Sequence, residues 1–162
     1  MTEVTMDENS YMEMEMVQIK GVDSTQRMTK ADLAAGAKLI IRERLLTHGD
    51  QHAESGFVVN LNGEDSSANV ISRSVAKNNS TQVFNAEING NAKCAGHSEC
   101  DAIIMDHAKI SAIPKIVAND IDAALIHEAA IGKIAGEQLI KLMTLGLTEQ
   151  EAEAQIVNGF LK

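Results

Sequence analysis

Hydrophobic and polar residues alternate with a period of two along most of the chain, and the period changes once, near the end. Ile121, Ala123 and Leu125 alternate with Asp122 and Ala124 as a strand would. After Gly132, Ile134, Leu139, Leu142 and Met143 recur at helical spacing, and the charged pair His127-Glu128 sits at the changeover. Upstream, residues 11–19 put Met12, Met14 and Met16 on one face and Glu13 and Glu15 on the other. Residues 30–46 are ambiguous: Leu33, Ala34, Ala37, Ile40 and Ile41 fit a helix, but Gly36 interrupts them. The β-branched Ile40-Ile41 pair favours a strand over residues 38–46. Further alternating runs at 57–61, 68–76, 82–88, 101–105 and 110–118 end in Asn, Gly, Asp or Ser, residues that tolerate tight turns. Short strands so punctuated predict a sandwich, a barrel or a solenoid. No exact repeat length is visible, so periodicity alone does not choose among them.

The end of the chain predicts two helices. The first spans about residues 133–145, with Glu137 and Lys141 one turn apart and Gly146 placed as a left-handed cap. Thr148 and Glu151 then have the spacing of a capping box, which opens a second helix carrying Ala152, Ile156 and Phe160 on one face. The expected organisation is a flexible N-terminus (1–10), a β core (11–130) and a C-terminal helical hairpin (131–162). The hairpin's apolar residues, Leu139, Leu142, Met143, Ile156 and Phe160, must cover the core or a partner.

With 162 residues the chain suffices for one core. Three Phe, one Tyr and no Trp leave that core to Ile, Leu, Val, Met and Ala. A net charge of -9 without a basic cluster speaks against nucleic-acid binding. The acidic first residues do not form a signal peptide, and no apolar run reaches the roughly 20 residues of a membrane span. The expectation is a cytoplasmic protein with no membrane contact, in which Cys94 and Cys100 are free thiols, metal ligands or sulfur carriers. A Gly-x-Ser-x-Gly elbow and a phosphate-binding loop are both absent from the sequence, so any ATP dependence would come from a partner. His48, His52 and His107 form no ligand pattern of the kind a small metal-dependent β-barrel enzyme would need.

Cys94, His97 and Cys100 form a Cys-x2-His-x2-Cys string, which needs a turn near Ala95-Gly96 to converge on one ion. The alternative is that Cys94 is a small core residue and His97 a turn residue. The strings His127-Glu128-Ala129, Ile131-Gly132-Lys133-Ile134 and Ile156-Val157-Asn158-Gly159-Phe160 resemble the C-terminal region of the SufB/SufD family of SUF-system iron-sulfur assembly scaffolds. Compared with the family's usual proteins the chain is much shorter, as expected of a compact or truncated member. The resemblance implies a right-handed parallel β-helix core followed by the helical hairpin. It places Cys100-Asp101 on the family's Cys-Asp pair, and His127-Glu128 on its Glu-His-Glu-Ala string, with Ile126 where the first Glu would stand. By that resemblance Cys100, His127 and Glu128 bind the cluster or its sulfur, with Cys94 and His97 as minor candidates. It further implies a transient iron-sulfur cluster, a SufC-like ABC ATPase docked on the hairpin, a sulfur donor protein, and a homodimer or SufB/SufD-type heterodimer. The chain would then be a non-catalytic scaffold; the alternative is a structural β-solenoid without cluster chemistry.

Overall fold

The computed structural model describes residues 1–19 and 21–162. Its strands are β1 (Thr2–Met6), β2 (Tyr11–Gln18), β3 (Ser24–Leu33), β4 (Lys38–Thr47), β5 (His52–Leu61), β6 (Ser67–Ala76), β7 (Thr81–Gly90), β8 (Ala95–Ile104), β9 (Lys109–Ala118) and β10 (Ala124–Gly132). Helices α1 (Gly136–Met143) and α2 (Glu149–Phe160) follow. Successive strands are dealt alternately into two parallel sheets, ordered β1-β3-β5-β7-β9 and β10-β8-β6-β4-β2. The result is a parallel β-solenoid of about five turns. Of the three architectures open to a period-two reading, the solenoid is the one adopted.

The repeat is regular in space. Ser24 lies beside His52, His52 beside Thr81 and Thr81 beside Lys109, rungs of 28 or 29 residues, and the first rung, from Thr2 to Thr29, adds 27. It is hidden in sequence because its corners need a conformation rather than a residue type. Gly49, Asn78 and Asp106 stack at one corner with φ of 59°, 59° and 55°, and Gly, Asn and Asp are the residues that tolerate this left-handed region. At the other corner Gly36 is needed twice over: its φ is 68°, and a Cβ there would lie 2.3 Å from Asn9 Oδ1.

Between the sheets, inward residues of every strand close a narrow lumen. Leu39, Ile41, Phe57, Val59, Leu61 and Ile88 are each no more than 2% exposed. Phe57 and Phe84 pack with ring centroids 5.7 Å apart. Asn side chains stitch neighbouring rungs: Asn119 Nδ2 donates to Asn91 Oδ1 and Asn91 Nδ2 to Asn62 Oδ1, each at 2.7 Å. Among the described residues one charge is enclosed. Glu43, 2% exposed, accepts from Arg27 Nη2 (2.9 Å), Ser55 Oγ (2.5 Å) and Ser72 Oγ (2.8 Å).

The first ten residues are not a free tail, because Thr2–Met6 pairs in parallel with β3 and Met6 is buried. The physical reason is the inward alternation of Val4 and Met6, which reach the core cluster. At the other end Gly146 takes the left-handed cap (φ 96°), and Thr148 and Glu151 form both bonds of the capping box. Helix α2 rests on the solenoid through Val157 and, just beyond its end, Leu161, which pack with Val75 and Met105. Its buried face is therefore rotated from the one expected: Ala152 is buried, while Ile156 and Phe160 are only half-buried. Helix α1 buries none of its residues and leaves Ile140 and Met143 exposed.

Candidate metal and sulfur site

Strand β8 faces two environments, and alternation decides which residue meets which. Gly96, Ser98, Cys100 and Ala102 point into the lumen and are buried, whereas His97, Glu99 and Asp101 point outward and are half-buried. Gly96 is forced by crowding, since a Cβ there would lie 2.8 Å from both Ile88 and Leu125. Strand β10 repeats the pattern one rung on: Leu125 and His127 turn inward, Ile126 and Glu128 outward. The register sets His127 beside Ser98, Ala129 beside Cys100 and Glu128 beside Glu99.

Cys100 and His127 thus share the lumen, and Glu128 lies on the opposite face of the same sheet. The Cys-x2-His-x2-Cys string does not converge: Cys94 is buried at a corner, His97 faces out and Cys100 faces in. His48, His52 and His107 are exposed along a different corner, where His52 Nδ1 meets Thr81 Oγ1 at 2.7 Å.

Within the lumen, burial pushes the Cys100 thiol up to about 11, with the negative charges of Asp101 and Glu43 adding to the effect. Burial also raises Cys94. Both are therefore protonated thiols at neutral pH. Beside Cys100 two polar atoms are buried without a hydrogen-bond partner, Ser98 Oγ and His127 Nδ1. Polar atoms of this kind cost about 1–3 kcal/mol each when left unbonded, so both are suited to bonding a ligand that enters the lumen.

On the outer face His97 Nε2 lies 3.2 Å from Glu128 Oε2, and His97 Nδ1 lies 3.1 Å from Asn69 Oδ1. Burial, and then the neighbouring Asp101, hold Glu99 above the usual carboxylate range against the opposing charges of Arg73 and His97. Sequence reading missed Glu99, Asn69 and Arg73. The odd-numbered alternation of His97, Glu99 and Asp101 was the available signal. Asn69 and Arg73 become neighbours only through the rung register.

Residues 1–160 match the family described as SUF system FeS cluster assembly, SufBD core domain. The chain is 35% identical over 127 residues to an iron-sulfur cluster assembly SufBD family protein of Methanothermobacter thermautotrophicus, covering 77% of this chain and 31% of that protein. A protein of the same description from Methanocaldococcus jannaschii is 41% identical over 105 residues, covering 64% and 33%. One from Pyrococcus horikoshii is 38% identical over 120 residues, covering 73% and 27%. The chain thus spans about a third of the length of the curated relatives it matches.

Proposed function

Because the chain belongs to the SufBD core family of SUF-system iron-sulfur cluster assembly proteins, we propose that it is a non-catalytic scaffold unit on which a cluster is built or passed on as cargo. The observation that carries this reading is the set formed in the lumen by Cys100 and Ser98 Oγ of β8 and His127 Nδ1 of β10, the last strand of the sheet. An arriving ferrous ion would displace the Cys100 proton to solvent and take the thiolate as a soft ligand, overcoming the burial that keeps the free thiol neutral. Uptake of persulfide sulfur from a donor protein needs the same thiolate. His127 supplies a nitrogen from the lumen side, while Glu128, on the outer face of β10, lies apart from that pair.

Two partners follow from this reading. A second copy or a paralogue pairs along the free β10 edge and completes the ligand set. A SufC-like ABC ATPase docks on the helical hairpin, whose α1 presents Ile140 (63% exposed) and Met143 (42% exposed) to solvent beside half-buried Leu139 and Leu142. A SufC-like ATPase should bind the intact chain and not a chain ending at Gly132; equal affinities would remove the docking role. No helix among the described residues is long and apolar enough to cross a membrane.

The deciding experiment is anaerobic reconstitution with ferrous iron and sulfide, followed by optical absorbance and labile-sulfide analysis. The wild type should gain cluster absorbance, Cys100→Ser should lose most of it and Cys94→Ser should keep it. Equal reconstitution of Cys100→Ser and wild type would overturn the assignment. The second reading, a structural solenoid without cluster chemistry, is favoured by the 1% exposure of Cys100. It would prevail if the wild type took up neither iron nor sulfide.

A further inference from the structure

The outer face of β8 and β10 has a ligand set of its own. Among the described residues, His, Cys, Asp and Glu donor atoms converge in one group, formed by His97, Glu99 and Glu128, whose ligand atoms all lie within 4.8 Å of one another. Bonds of about 2.0–2.2 Å set the donors of a tetrahedral ion about 3.3–3.6 Å apart, so side-chain shifts of about an ångström close the set. The sheet itself holds it ready: Glu99 and Glu128 are register partners on adjacent strands, and His97 precedes Glu99 by one inward residue.

The histidine is also oriented. Asn69 Oδ1 can only accept, so the hydrogen bond at 3.1 Å places the proton on His97 Nδ1. In the neutral ring Nε2 therefore turns a lone pair toward Glu128 Oε2 at 3.2 Å, and two electron pairs cannot face each other there without a cation. A proton on Nε2 meets that need for this pair alone. A metal ion would serve Glu99 as well, whose carboxyl stands beside Asp101 with Arg73 as the opposing charge.

We propose that His97, Glu99 and Glu128 bind a divalent first-row transition-metal ion on the outer face of the sheet, independently of Cys100. One imidazole and two carboxylates suit Mn(II), Fe(II), Co(II) or Zn(II), not a thiophilic ion such as Cu(I). Glu128 is 67% exposed at its side chain, so the site opens to solvent and keeps coordination positions for water. Cys100, on the opposite face of β8, supplies no ligand. The site does not depend on cluster assembly for its existence, although a resting place for iron next to the thiol would serve it.

The test is anaerobic titration of the intact chain with Co(II), followed by calorimetry and by visible absorption. Co(II) should bind with d–d bands that persist in Cys100→Ser, any thiolate-to-cobalt charge-transfer band belonging to the lumen thiol and vanishing in that variant. His97→Gln, Glu99→Gln and Glu128→Gln should each weaken binding at least tenfold, and Asn69→Ala, which releases the imidazole, about tenfold. Cys100→Ser should bind one equivalent at the outer-face site with unchanged affinity. Glu128 is an exposed residue of an edge strand, so its variant keeps the test free of folding defects. Absence of Co(II) binding, or loss of binding in Cys100→Ser with retention in Glu128→Gln, would overturn the proposal. None of these results depends on whether a cluster can be reconstituted.

Discussion

Glu43 shows how far a single side chain can depart from what its residue type leads one to expect. In sequence it reads as one of several outward charges in Arg-Glu-Arg, yet alternation turns it inward between Arg42 and Arg44, which pair instead with Glu13 and Glu15. Once enclosed it is held by Arg27 and two serines. Glu43→Ala should destabilise the chain by about 3 kcal/mol, since it strands Arg27 and two hydroxyls, and the denaturant midpoint would register it. An unchanged midpoint would mean that the enclosed charge contributes nothing. Cys100 titrates in the other direction from a paired carboxylate. Its folded value of about 11 lies above the ordinary 9.0, so the native state keeps a proton that the unfolded chain loses. The stability it contributes is complete below pH 9 and is lost as pH rises from about 9 to about 11. Wild type should therefore lose more stability over that window than Cys100→Ser. At neutral pH both thiols should react with a disulfide exchange reagent far more slowly than in the unfolded chain.

At the level of elements, the alternating runs and the capping box were legible because each is a local rule. Seven strands of the solenoid core lie where period-two patterning put them. The rest of the fold depended on relations that no window of sequence contains. Thr2–Met6 is too short to announce itself and exists because β3 offers an edge. The buried face of α2 was misjudged for the same reason. Helical spacing ranks Ile156 and Phe160 highest, but the groove beside Val75 and Met105 accepts Val157 and Leu161. The candidate site was half legible: Cys100 and His127, both named from the sequence, share the lumen, while the strand's parity, which sends Glu128 to the other face, appears only when the register is known. Val157→Ala removes a buried anchor and should cost about 1–2 kcal/mol from the lost methyl contacts and the space they leave. Limited proteolysis should then cut within α2 before the solenoid is touched. A hairpin as resistant as wild type would show that Val157 is not what holds α2 down.

For the whole molecule, the two sheets end unequally. The last strand of one sheet, β9, carries the chain's one proline, Pro114, and so lacks one N–H donor; β10 has no proline and keeps all of its donors. Association along a strand edge should therefore use β10. A lysine in place of exposed Ile126 on that strand should shift sedimentation toward the monomer, as charged residues do at natural sheet edges. A dimer unaffected by Ile126→Lys would place the contact elsewhere. The regular rung has a further consequence. Each turn touches only the turns above and below it, so stability behaves as a one-dimensional chain of nearest-neighbour couplings, firmest in the middle and free to fray at the ends. Amide hydrogen exchange should be slowest in β5 to β7 and fastest in β1, β9 and β10. Cys100 then lies one coupling from a fraying end. It can be shut off from water and still be reached by a local opening of β10, at a small fraction of the energy of unfolding the chain, and any strand that pairs with β10 sets how often that opening occurs.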